Sequence, residues 1–156
     1  MITLDIPGSF RLEIEHFVSD FSGTLSEDGV LLPGVKESLN NLSEKVQVHV
    51  LTSDTFGRAT QELECINCTV HILEGADHTG QKEQYVLSLG PESVVAIGNG
   101  NNDARMIRAA GIGIAVCLKE GCSIEALTAA KILVMSPLHA IDLLLNTKRL
   151  IATLRR

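Results

Sequence analysis

Short apolar runs alternate with segments of helical period along this chain. Residues 14–19, 46–51, 68–73, 93–98, 112–116 and 132–135 are brief and carry few polar positions. Their Val and Ile content favours buried strands over helices. Between them, residues 35–42, 55–63, 80–89, 102–110, 123–129 and 137–154 predict helices. Asp54 or Thr55 is placed to cap the second helix, and Gly90 and Gly111 to stop the third and fourth. Alternation of nearly continuous apolar strands with helices predicts a parallel sheet covered on both faces.

Two places break the rhythm. Residues 1–15 read as two extended pieces around Pro7-Gly8, a hairpin leading into the first core strand. Residues 26–34 hold Asp28-Gly29 between short apolar pieces, which predicts a small β-hairpin flap.

With 156 residues, the chain has the length of one ordinary domain, expected over 1–156. Its formal net charge of −6 gives no basic face, which disfavours nucleic acid and anionic membrane as partners. The absence of Trp and a single Tyr leave little on which bases could stack. No signal peptide is legible and no apolar run reaches the ~18 residues of a membrane span, so a cytoplasmic location is expected. Cys65 and Cys68 form a C-x-x-C, and Cys117 and Cys122 lie far downstream. Cys68 should open a strand and Cys117 should close one, which places them at opposite ends of the sheet. A four-cysteine zinc site is therefore disfavoured against ordinary reduced thiols. The basic residues Lys148, Arg149, Arg155 and Arg156 are read as complementing the dipole at the end of the last helix.

Two polar, Gly-rich turns follow predicted strands: Asp20-Phe21-Ser22-Gly23-Thr24-Leu25 and Gly98-Asn99-Gly100-Asn101-Asn102-Asp103. Ligands bind at the carboxyl ends of strands in open α/β sheets. Asp20 can act as a nucleophile toward phosphorus or merely cap a turn. Gly23 would let the backbone turn and present N–H groups to phosphate oxygens, and Thr24 would steady that loop. Thr52 ends an apolar run and can bind a phosphoryl oxygen or cap a helix. Lys82, near a predicted helix start, is mildly mismatched to the dipole there and suits charge neutralisation. Asp103 with Asp20 makes a hard oxygen set suited to Mg²⁺.

These four stretches, in this order, resemble the haloacid dehalogenase superfamily of phosphotransferases, and the resemblance runs from about residue 14 to 156. The loops resemble the Asp-Lys-Thr-Gly-Thr and Gly-Asp-Gly-x-Asn-Asp of P-type ATPases, and Leu51-Thr52-Ser53-Asp54-Thr55 resembles their Thr-Gly-Asp. The small soluble branch is the nearest in pattern, with Ala140–Leu145 and Arg149–Arg155 adding to the likeness. The resemblance implies a Rossmann-like three-layer α/β sandwich with a mostly parallel sheet. It implies catalysis by Asp20, Thr52 and Lys82, phosphate held at Gly23, Thr24 and Ser53, and Mg²⁺ held by Asp20, Ser22, Asn99 and Asp103.

Two departures qualify what it implies. The superfamily's phosphatases carry an acid two residues after the nucleophile, where this chain has Ser22. A hydroxyl is a poor general acid or base near neutral pH. Asn99 stands where the family usually has Asp, so the metal site loses a charge. About 27 residues separate Leu25 from Thr52, and about 30 separate Thr52 from Lys82, which leaves no room for a cap domain. An open cleft is expected, with self-association as one way of covering it. The expected activity is a Mg²⁺-dependent phosphohydrolase working through phospho-Asp20. Its substrate would be a small phosphorylated molecule with a good leaving group, such as an acyl or nucleoside phosphate. The competing reading is a weakened phosphate- or nucleotide-binding regulatory module.

Overall fold

The computed structural model describes residues 1–54 and 57–156. The strands are β1 (Ile2–Asp5), β2 (Arg11–Ile14), β3 (His16–Asp20), β4 (Ser26–Glu27), β5 (Val30–Leu31), β6 (Gln47–Thr52), β7 (Thr69–Ile72), β8 (Val94–Gly98), β9 (Ile112–Val116) and β10 (Ile132–Val134). The helices are α1 (Val35–Ser43), α2 (Arg58–Leu63), α3 (His78–Ser88), α4 (Ala104–Ala109), α5 (Ile124–Ala129), α6 (Pro137–Leu145) and α7 (Thr147–Leu154). Among the described residues, six strands form one sheet in the order β10-β9-β8-β3-β6-β7, and every pair in it is parallel. Two antiparallel hairpins, β1-β2 and β4-β5, stand apart from it.

The central strands are buried on both faces, which explains their unbroken apolar sequence. In β3, Phe17 packs with α1 and α6 through Leu39, Leu42 and Ile141, while Val18 joins Val86, Met106 and Ala126 of α3, α4 and α5. The second face is the one lined with small residues, Ala96 and Ala110 among them. β7, at the sheet edge, is largely exposed and holds fewer apolar positions.

Boundaries depart from expectation where side chains compete with the backbone. Cys68 lies just outside β7, and α2 begins at Arg58, with Thr55 outside the described residues. The expected start of α3 moves back to His78, because the Asp77 carboxylate accepts from the Gly80 N–H at 2.9 Å. The expected helix over 102–110 opens with a 3₁₀ turn, Asn101–Asp103. The expected helix over 137–154 breaks at Asn146, whose φ of −120° and ψ of 69° are not helical. Its side-chain amide donates to Asp142 at 2.7 Å, and Arg149 pairs with the same carboxylate. Lys148 and Arg149 therefore occupy the first turn of α7, so they do not complement a helix C-terminus. The bend lets α7 bury Leu150 and reach β1.

A polar chain crosses the face under α3. Nδ1 of His16 lies 3.1 Å from Nε2 of His49, whose Nδ1 lies 3.0 Å from the Tyr85 hydroxyl. Burial, then the neighbouring His16, lowers the His49 pKa from 6.5 to about 4. Its contribution to stability is present above pH 6.5 and is lost as pH falls through about 4, roughly 3 kcal/mol when complete. In urea titrations, the stability of wild type relative to His49→Gln should fall between pH 6.5 and 4.5. A difference that does not change with pH would contradict a neutral, buried His49.

Candidate active site

The carboxyl ends of β3, β6 and β8 place Asp20, Thr52 and Asn99 around one cleft, and α3 sends Lys82 into it from the side. Lys82 is 1% exposed, and its Nζ donates to Asp20 Oδ1 at 2.8 Å and Asp103 Oδ1 at 2.7 Å. Burial works against the ammonium charge, but the two carboxylates outweigh it and raise the Lys82 pKa. For Asp20, burial and then the charge of Asp103 push the pKa up to about 7, against the opposing pull of Lys82. Two carboxylates share one ammonium, so the ionised cluster carries an excess negative charge.

Asp103 is fully buried, and its position explains the glycine at the end of β8. A Cβ on Gly98 would stand 2.5 Å from the Asp103 side chain. Asp103 Oδ2 accepts from the N–H groups of Asn99 and Gly100, both at 3.0 Å, while Oδ1 accepts from Lys82. Although expected as a metal ligand, Asp103 has both oxygens engaged in holding Lys82 and the Gly98–Asp103 loop.

The loop after Asp20 is arranged differently from expectation. Gly23 takes a left-handed φ of 73°, but its N–H donates to the Ser26 carbonyl at 3.0 Å. The N–H groups of Thr24, Leu25 and Ser26 all donate to the Phe21 carbonyl. These amides close the turn instead of facing a phosphate. Thr24 is buried, and its hydroxyl lies 3.2 Å from both Asp20 Oδ2 and Asn99 Oδ1. Its hydroxyl therefore orients those two oxygens.

Thr52 and Ser53 line the cleft as expected. Thr52 Oγ1 accepts from the Asp54 N–H at 3.1 Å, which leaves its own proton for an acceptor in the cleft. Asp54 caps α2 by accepting from the N–H groups of Ala59 and Thr60, at 2.7 and 3.1 Å.

The oxygens around Asp20 fit a hard cation. The single proton of Thr24 serves both Asp20 Oδ2 and Asn99 Oδ1, so both keep acceptor capacity directed at the same region. Ser22 lines the same cleft, and its carbonyl would add to a set suited to Mg²⁺, which binds through one or two carboxylates plus substrate oxygens. Among the described residues, no group of three His, Cys, Asp or Glu side chains is placed to hold a metal by itself, so amide, carbonyl or substrate oxygens are required. All four cysteines are free thiols.

His78, whose role the sequence left open, and Glu120, which it did not mark, also line this cleft of about 270 Å³. His78 stands four residues before Lys82 on α3, and that shared helix face was a usable signal. Glu120 lies in the loop after β9, and no local pattern marked it. Of the other histidines, His71 packs on Tyr85 and His139 is exposed. A larger cleft of about 610 Å³ shares Ser22, Thr52 and Ser53 with the first and extends past Asp28 and Arg58.

Known proteins share this fold. A family model described as haloacid dehalogenase-like hydrolase matches residues 79–121. An uncharacterised protein of Methanocaldococcus jannaschii is 42% identical over 64 residues, which cover 41% of this chain and 69% of that protein. The crystal structure of 3-deoxy-D-manno-octulosonate 8-phosphate phosphatase from Moraxella catarrhalis, with magnesium, phosphate and KDO, superposes with a TM-score of 0.70. Identity there is 19%, covering 90% of this chain and 92% of that one. The crystal structure of a zinc-transporting PIB-type ATPase superposes with a TM-score of 0.60 and 22% identity, over 78% of this chain and 20% of the ATPase. With the parallel sheet carrying its Asp20, Thr52, Lys82 and Asn99–Asp103 positions in the family's order, the chain belongs to the haloacid dehalogenase superfamily of hydrolases.

Proposed function

We propose that the protein is a Mg²⁺-dependent phosphohydrolase that works through an aspartyl phosphate on Asp20. The observation that carries this reading is the buried Lys82 bridging Asp20 and Asp103 beneath an open cleft. A buried ammonium beside a carboxylate nucleophile suits a phosphoryl group, whose charge it can neutralise.

An oxygen of Asp20 attacks phosphorus, and the bond to the leaving oxygen breaks with its electron pair. Lys82 and the Thr52 hydroxyl hold the phosphoryl oxygens, with Ser53 at the rim. Asp20, the Ser22 carbonyl and Asn99 Oδ1 would hold Mg²⁺, which supplies Lewis-acid stabilisation of the phosphoryl charge when bound. Ser22 cannot protonate the leaving group, so substrates whose leaving group departs as an anion are favoured. Water then attacks the aspartyl phosphate and returns the Asp20 carboxylate and inorganic phosphate. Without a base at position 22 this second step is slow.

The cleft past Asp28 and Arg58 has room for the leaving portion of a small phosphorylated molecule. The Moraxella phosphatase, with a similar fold, is named for a sugar-acid phosphate, which makes sugar phosphates a reasonable class to screen beside acyl phosphates.

The test is release of phosphate from acetyl phosphate and p-nitrophenyl phosphate, with and without Mg²⁺. Metal-dependent release that Asp20→Asn abolishes supports the reading. Ser22 also favours a second reading, a module that binds phosphate or nucleotide without turnover. No release from wild type, with nucleotide binding that survives Asp20→Ala, would favour that module. Ser22→Asp is expected to raise turnover of alkyl phosphate esters by about 10²–10⁴-fold, since it restores the acid and base. No gain on any ester would remove this account of the missing group.

A further inference from the structure

Asn99 lacks the negative charge that a carboxylate would bring to the cation site, and the structure places another carboxylate nearby. Glu120 sits in a tight turn in which the Gly121 N–H donates to the Leu118 carbonyl at 2.9 Å. That turn is fastened on both sides. Lys119 pairs with Glu27 of β4 at 3.1 Å. On the other side, Asn99 Nδ2 donates to the Gly121 carbonyl at 3.2 Å, and the Ser123 N–H donates to the Asn99 carbonyl at 2.7 Å.

The first of these Asn99 bonds requires an amide. A carboxylate at position 99 would set an anionic oxygen against the Gly121 carbonyl, with no proton between them. The same bond fixes the amide orientation, so that Oδ1 faces Thr24 and Asp20. The Asn99 side chain therefore gives up a charge and in return holds the loop that carries Glu120.

Glu120 reaches the nucleophile loop. A Cβ on Gly23 would stand 2.3 Å from Glu120 Oε2 and 2.7 Å from Asn99 Nδ2, so carboxylate and amide converge on one point beside the Asp20 turn. Glu120 lines the cleft with Asp20, Ser22, Lys82 and Asn99. Only a glycine at position 23 leaves room for this approach.

We propose that Glu120 is a ligand of the catalytic divalent cation, supplying from the loop after β9 the carboxylate that Asn99 does not. The cation is then held by the Asp20 and Glu120 carboxylates, the Ser22 carbonyl and Asn99 Oδ1. Two carboxylates lie within the usual protein share for Mg²⁺. This proposal rests on the phosphohydrolase reading above.

The test is direct titration of metal-free protein with Mn²⁺, followed by electron paramagnetic resonance or calorimetry. Glu120 is exposed, so Glu120→Gln should fold as wild type does. Its Mn²⁺ affinity is expected to fall about 10–100-fold, the usual range for losing a group that supports a metal site. Asn99→Asp combined with Glu120→Gln should recover most of that loss, because the set regains its second carboxylate. Wild-type affinity in Glu120→Gln, together with loss of binding in Asp20→Asn, would overturn the role of Glu120 and leave the phosphohydrolase reading intact. No Mn²⁺ binding by wild type at millimolar metal would overturn both.

Discussion

Lys82→Met should cost about 3–5 kcal/mol of folding stability, the range for breaking a buried ion pair by removing one partner. Lys82 is 1% exposed, and Asp103, which it neutralises, is wholly buried. Methionine fills similar volume, so packing is nearly conserved and the loss is electrostatic. Without the ammonium, Asp103 Oδ1 loses its Lys82 partner, and the Asp20 and Asp103 carboxylates are left with no cation between them. One of the two carboxyls must then take up a proton, so the deficit should shrink as pH falls. Urea denaturation of wild type and Lys82→Met at pH 8 and pH 5 reads both effects. A variant within about 1 kcal/mol of wild type at pH 8 would mean that solvent reaches the cluster and that the buried-pair penalty does not apply. Turnover should vanish as well, because the phosphoryl charge loses its buried counter-charge.

At the other end of the same ion pair, Asp20→Asn should have the opposite effect on stability. The Asp20 pKa is raised from 3.8 to about 7, by burial first and by Asp103 second. A carboxyl raised in this way stabilises the fold fully below pH 3.8, and that contribution is lost as pH rises through about 7. At pH 8 in the absence of metal, the ionised Asp20 therefore opposes folding, and Asn, which cannot ionise, relieves the opposition. Thermal melts should show Asp20→Asn more stable than wild type at pH 8, with the advantage fading toward pH 4. Phosphate release should fall by about four to six orders of magnitude, as expected on losing a nucleophile. A variant less stable than wild type at pH 8, with no dependence on pH, would contradict the raised pKa. Mg²⁺ should narrow the stability gap from the wild-type side, since only wild type presents the full carboxylate pair.

The parts legible in the sequence were those written locally. Val, Ile and Ala runs such as 94–98 and 112–116 can be buried on both faces only in a covered sheet, so strand type and the parallel arrangement followed. Asp28-Gly29 marked its own hairpin. Asp20, Thr52 and Asn99 each end an apolar run, which placed them at one end of the sheet. Other features depended on contacts between distant segments. The Gly23 N–H was assigned to phosphate because a Gly-rich turn offers amides, and only the fold shows those amides closing the turn on Ser26 and Phe21. Asp103 looked like a ligand because its type suits a cation, and only its burial against Lys82 shows its oxygens to be engaged. The break at Asn146 carried no Gly or Pro, and the apolar pattern ran through it from Leu143 to Leu154. Glu120 was not legible because its place in the cleft depends on an amide in the preceding strand-end loop.

The position of β3 at the middle of the sheet has a consequence for biosynthesis. Its neighbour on one side, β6, follows after one helix and the flap, whereas its other neighbour, β8, arrives only with residues 94–98. A nascent chain emerging from the ribosome therefore carries Phe17 and Val18 on a strand with one unpaired edge while some seventy further residues are made. Bonds that close the cluster span still greater intervals, 62 residues for Asp20–Lys82 and 75 for Thr24–Asn99. Such non-local closure is slow, and an open apolar strand can pair with other chains while it waits. The arrangement that brings Asp20, Lys82 and Asp103 together thus leaves the growing polypeptide with an open strand edge exposed to aggregation until its fourth parallel strand is translated.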